Sequence, residues 1–248
     1  MMKIFRYALV VLGLALMSSH AHGQSYVAYD LAATATPNGT GGLSGQYVGN
    51  SNFGGTVGME FDVNSAAIKV TYLGVFDSGR DGFHNTITAY IFNRDTQSIV
   101  TSVAFTPTNS AFQVGYHQFV SVGSDLVLSA GHYIIAAGGF SSADPFGAKQ
   151  TGAFGGNDPA FVSDTFNSGS GNLISSVGDA VFAPNATVGT YPSFSQQGSG
   201  PLALNAATFI YSLSVPEPGS VGWLIGLAGL GGSLSYLRFR GRALKKRA

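Results

Sequence analysis

The sequence predicts an all-β fold, an antiparallel β-sandwich or jelly-roll-like domain, on three observations. Apolar residues alternate with a period of two between residues 57 and 140. No amphipathic helical stretch interrupts them, and 35 glycines load the chain with turns. Hydrophobic residues make up 45% of the 248 and aromatics 12%, enough to fill a core despite the abundance of Ser, Thr, Asn and Gly.

Each element has its own justification. "VGMEFDV" (57–63) puts Val57, Met59, Phe61 and Val63 on one face and Gly58, Glu60 and Asp62 on the other, as a half-buried strand requires. "AIKVTYLGVF" (67–76), "TITAYIFN" (86–93), "SIVTSVAF" (98–105), "YHQFVSV" (116–122), "DLVLS" (125–129) and "HYIIAAGGF" (132–140) follow, separated by Gly, Asn, Asp, Ser and Pro. Short strands at turn-separated intervals are the signature of a sandwich. Residues 141–206 alternate poorly and read as long loops with short strands at 173–177 and 180–182; "ATFIYSLS" (207–214) is the last strand.

Both ends read as addresses. "MMKIFRYALVVLGLALMSSHAHGQ" has a basic start and an apolar stretch of about eleven residues, too short for a bilayer and suited to a signal peptide. Ala21 and Gly23 supply small residues for cleavage between Gly23 and Gln24. The domain plan is therefore a signal peptide at 1–23, a β ectodomain at 24–214 and a C-terminal segment at 215–248. In that last segment Val221 to Leu237 carry no charge over seventeen residues. As a helix they cover about 26 Å, a short crossing of a membrane. Arg238, Arg240, Arg242, Lys245, Lys246 and Arg247 follow directly, a basic stop-transfer tail of the kind the positive-inside rule holds in the cytoplasm. Its alternative, a buried helix with a solvated tail, sits poorly with five glycines in the run.

Val215-Pro216-Glu217-Pro218, the Gly/Leu-rich span and the Arg/Lys tail together resemble a PEP-CTERM sorting signal, matching its three parts in order. The resemblance implies a Gram-negative exopolysaccharide producer, an exosortase-type protease that reads Pro216, Glu217 and Pro218, and only transient membrane anchoring. The prolines hold their segment extended, a form a protease can engage. Residues 57–140 also resemble a β-sandwich module of unknown function from bacterial surface proteins, through "YLGVFDSGRDGF", "ITAYIFNRDTQ" and "LSAGHYIIAAG". That resemblance implies a fold and no chemistry.

Composition narrows the function further. Between Gln24 and Val215 four basic residues stand against eleven acidic ones, a net charge of about −7, which disfavours nucleic acid as a partner. The absence of cysteine leaves no disulfide, thiolate metal site or thiol nucleophile.

Three features invite a chemical reading. "DSGRDGF" (77–83) places Asp77, Asp81 and Gly82 as in a calcium loop, but Gly79 stands at loop position three and Thr88 at position twelve, where a bidentate Glu is expected. Asp95 would complete an oxygen cage only if the fold brought it near; the plainer reading is an Asp/Gly turn. His84, His117 and His132 have no helical ligand spacing and read as polar positions on a sheet, so no metal or cofactor is expected. Glu60 and Asp62 share one strand face, whereas a glycosidase pair must flank a cleft. No catalytic residue is assigned.

Phe83, Tyr90, Tyr116, Phe146 and Tyr191, near turns or on strand faces, are candidates for stacking on sugars if exposed, and for core packing if not. The expectation is an exported, non-enzymatic surface or biofilm-matrix protein, with exopolysaccharide as a possible partner. A carbohydrate-binding module and an envelope polysaccharide hydrolase are the alternatives.

Overall fold

In the structure, a computed structural model, residues 24–31, 49–109, 112–148, 164–183, 187–196, 200 and 203–214 are described. The signal peptide with its Gly23–Gln24 bond, the Pro-Glu-Pro motif, the apolar span and the basic tail lie wholly or partly outside the described residues. Among the described residues no helix is long and apolar enough to cross a membrane.

Alternation makes the strands. In chain order they are β1 (Tyr26–Val27), β2 (Tyr29–Asp30), β3 (Thr56–Val63), β4 (Ile68–Phe76), β5 (Ile87–Asn93), β6 (Ser98–Phe105), β7 (Phe112–Val114) and β8 (His117–Leu128). β9 (Gly131–Gly138), β10 (Gly147–Ala148), β11 (Thr165–Phe166), β12 (Ile174–Ala183), β13 (Phe194–Ser195), β14 (Leu204–Asn205) and β15 (Ala207–Leu213) complete the set. A six-stranded sheet runs β13-β12-β3-β9-β5-β6 and a five-stranded sheet β1-β15-β4-β8-β7, while β2–β11 and β10–β14 form two small ribbons. Every pairing is antiparallel. The all-β, sandwich-like expectation holds.

The core lies between the two large sheets. Val57, Met59, Phe61 and Val63 of β3 are all buried and belong to one cluster with Leu73 and Val75 of β4 and Phe209 and Tyr211 of β15. Phe61 and Phe209 meet across the sheets with ring centroids 4.7 Å apart, and Tyr133 of β9 stacks on Phe61 at 5.6 Å. Aromatic pairs at these distances add to the gain from burial alone.

Two segments read as breaks in the sequence are bulges inside single strands. Residues 116–122 and 125–129 fall largely in one strand, β8, whose register against β4 jumps between Val70↔Leu126 and Tyr72↔Ser121. Gly123 (φ +85°) lies in the extra chain. Likewise 173–177 and 180–182 fall largely in β12, with a register shift between Val177 and Ala180 at Gly178 (φ +68°). A bulge uses the residues a turn would use, but the strand continues past it.

Candidate functional site

The outer face of the six-stranded sheet carries an ionic cluster. With the odd-numbered residues of β3 in the core, Glu60 and Asp62 emerge on the opposite side. Register sets Asp62 beside His132 of β9 and Glu60 beside Ile134. Arg94 follows β5 directly, its N–H bonded to the His132 carbonyl at 3.0 Å. Its guanidinium turns back across the sheet, with Nε 3.0 Å from Glu60 Oε1 and Nη1 3.4 Å from Asp62 Oδ1. Asn93 Oδ1 holds the turn beyond by accepting the N–H groups of Asp95 and Thr96, both at 2.9 Å. That turn presents Asp95 4.0 Å from His132, both well exposed.

Gly178 makes room for this cluster. A Cβ there would collide with the Glu60 carboxylate, and its positive φ suits glycine. The bulge in β12 thus receives Glu60. Burial pushes the Glu60 carboxyl upward, and Arg94 pulls it back.

Beside the ionic groups lies a second apolar cluster, of Tyr90, Phe92, Ile134, Ala136 and Val181, with Tyr191 packed against it. Tyr191 meets Phe92 edge-on at 5.7 Å. Gly189 ties the covering segment down, its N–H donating to Thr56 Oγ1 at 3.0 Å. The arrangement is a mixed-charge face with one half-buried ring at its border. Its two carboxylates are neighbours on one strand, bound to one cation, so they do not form an acid–base pair across a cleft.

The remaining candidates are tied into loops or sealed in the core. Asp77, 1% exposed, accepts the Gly82 N–H with both carboxylate oxygens at 3.3 and 3.2 Å and Gln118 Nε2 at 2.7 Å. It anchors a turn built on the 3-10 segment Ser78–Arg80. Asp95 stands past the other end of β5, so it does not complete a cage there. Among the described residues, no three His, Asp or Glu side chains gather as a metal site. With both Asp77 oxygens engaged, we expect the full chain to melt at the same temperature with millimolar calcium as with chelator. A rise of many degrees in thermal unfolding would contradict the turn reading, since tight binding to the folded state must appear as stability.

His84 is exposed and clamps two loops: its Nδ1 lies 3.1 Å from Asp144 Oδ1, and Asp144 also accepts the backbone N–H groups of His84 and Asn85 at 2.9 and 2.8 Å. That hydrogen bond raises the His84 pKa. His117 departs from the expected polar position. It is fully buried beside Phe76 and Phe119, at 6.1 and 6.4 Å, with neither ring nitrogen hydrogen-bonded among the described residues. Burial pushes its pKa down to about 3.

The sugar-stacking candidates resolve mainly into core. Phe83 (7% exposed), Tyr90 (7%), Tyr116 (1%) and Phe146 (2%) are buried, and only Tyr191 is partly open. Turns bring the rings inward: Phe83 packs on Phe105 at 5.7 Å, Tyr116 on Phe76 at 6.2 Å and Phe146 on Phe140 at 4.8 Å. Among the described residues the exposed Phe rings are Phe112 and Phe194, which the sequence did not single out. A cleft of about 150 Å3, lined by Phe53, Phe146, Phe182, Leu204 and Gln196 among others, carries no titratable group.

Comparison of the chain with protein-family models, curated proteins and solved structures finds no match.

Proposed function

We propose that the protein is an exported, non-enzymatic component of the cell surface or extracellular matrix, a β-sandwich delivered by its two terminal signals. The carrying observation is how the body uses its scarce titratable groups. Asp77 and Asp144 hold turns, Glu60 and Asp62 share Arg94, and His117 is sealed from water. The four carboxylates have structural duties that compete with acid–base work, and His117 is out of a substrate's reach. Burial of four of the five candidate aromatics also weighs against a sugar-stacking platform built from them.

Export rests on the sequence. The short apolar start, the Pro-Glu-Pro motif, the marginal span and six terminal cations stand in the order a sorting signal requires. In this reading the cations resist transfer across the bilayer and hold the chain until the protease cuts near Glu217. Substituting Glu217→Ala is expected to leave an intact, membrane-held precursor. Removing Arg238, Arg240, Arg242 and the terminal Lys/Arg residues is expected to let the chain slip through uncut. Immunoblots of cell and medium fractions, with a tag placed after residue 24, separate the two failures. Release and trimming of the Glu217→Ala chain like the wild type would overturn the sorting reading.

A further inference from the structure

Sheet edges are unequal in this protein. The five-stranded sheet ends in β1, of two residues, and β7, of three; one edge of the six-stranded sheet is β13, of two. Such short edges offer little to a foreign strand. The fourth edge, β6, is eight residues long, "SIVTSVAF", with no charge, proline or glycine. Nothing pairs with its outer side among the described residues. Ile99 and Val100, 49% and 37% exposed, are adjacent on it. A long, uncharged, β-branched edge is a template for another strand.

We propose that β6 is a homotypic docking edge, at which two copies of the chain pair antiparallel and join their six-stranded sheets. The pairing with β5 locates the usable stretch. Thr101 opposes Ile91 and Ile99 opposes Phe92, so Val100 is the extra residue of a bulge. The regular run is therefore 101–105, and a two-fold axis through Val103 sets Thr101 against Phe105, Ser102 against Ala104 and Val103 against itself. Thr101, Val103 and Phe105 are half-buried or buried and prolong the inner apolar layer; Ser102 and Ala104 are exposed and small. Side-chain faces match in this register, as sheet continuity demands.

Charge favours a second copy in this orientation. A parallel pair would bring Asp95 beside Asp95 in a body that is already acidic. The antiparallel pair turns the Arg94–Asp95 end of one copy toward the 106–109 end of the other, "TPTN", which carries no charge. An unrelated charged strand finds no counter-charge on β6, whereas β6 itself brings an equally neutral edge. The result is an isologous, closed contact.

Sedimentation equilibrium of the full chain in detergent tests this. The wild type is expected at twice the protomer mass. Ser102→Lys with Ala104→Lys adds charges at exposed positions, leaving the far-UV circular dichroism unchanged, but sets Lys against Lys in the dimer and returns it to protomer mass. The chain has no cysteine, so Ser102→Cys with Ala104→Cys reports the register directly. Directly opposed residues in an antiparallel pair have Cα atoms about 4.5–5.5 Å apart, within disulfide reach. Air oxidation should then give a reducible dimer on a gel. A monomeric wild type, a dimer indifferent to the two lysines, or no reducible dimer from the cysteine variant would each overturn the proposal. Association through another surface appears as the second of these.

Discussion

Replacing His117 with Phe will flatten the acid limb of the stability curve. His117 is fully buried, without a hydrogen-bond partner among the described residues, and its folded pKa is pushed down to about 3 by desolvation. Unfolded, the same imidazole titrates near its ordinary value of about 6.5. The unfolded state therefore binds a proton that the native state refuses. Stability from this group is fully present above pH 6.5 and is lost as pH falls toward 3, by about 1.4 kcal/mol per pH unit. At pH 4.5 the accumulated loss relative to pH 7 is on the order of 2–3 kcal/mol. His117→Phe abolishes the slope. It also adds volume beside Phe76 and Phe119, an overpacking cost of about 1–3 kcal/mol that does not vary with pH. Urea unfolding of both proteins from pH 4.5 to 8 separates offset from slope. A constant difference across the series would show that His117 becomes protonated in the fold.

The framework of the sandwich was legible because a period of two survives wherever a strand has one buried face. β3 shows why: Val57, Met59, Phe61 and Val63 alternate with residues that the outer face tolerates, so periodicity and burial carry the same information. β6 has legible bounds, since Asn, Asp, Thr and Gln precede it and Thr-Pro follows. β8 and β12 each look like two strands in the sequence because Gly-Ser and Gly-Asp have the same local chemistry in a turn and in a bulge. Only the neighbouring strand distinguishes the two, and its register is a non-local fact.

The outer-face cluster was half legible. Alternation puts Glu60 and Asp62 on one solvent face, but nothing local connects them to Arg94, which lies more than thirty positions away and reaches them across β9. The aromatics misled for a related reason. Proximity to a turn says that a residue is near the end of a strand, while the direction of its ring depends on what the turn folds over. Phe83 and Tyr116 point inward because Phe105 and Phe76 wait there. His117 was least legible of all. In "YHQFVSV" it alternates with Gln118, a pattern that suits a histidine on either face, and the choice was made by Phe76 and Phe119.

Asp164→Asn is expected to stabilise the protein at neutral and alkaline pH and to leave it nearly unchanged in acid. Asp164 is 3% exposed, and neither carboxylate oxygen has a hydrogen-bond partner among the described residues. It lies just before β11, and in the β2–β11 ribbon it follows the alternation that buries Tyr29 and Leu31. Burial raises its pKa well above the ordinary carboxyl value, and the nearby Asp30 charge raises it further. Here the native state holds a proton that the unfolded state releases. The contribution is fully present below the unfolded pKa of about 3.9 and is lost as pH rises through the folded value. This slope opposes that of His117, so wild-type stability is pulled down from both sides and peaks in between. An asparagine keeps the shape of the protonated carboxyl and cannot ionise, so its cost is the same at every pH. The variant should match the wild type near pH 4 and gain on it steadily as pH rises, in the same urea series. Equal stabilities at pH 4 and pH 8 would mean that Asp164 keeps its ordinary pKa, and therefore that water or a cation reaches its oxygens.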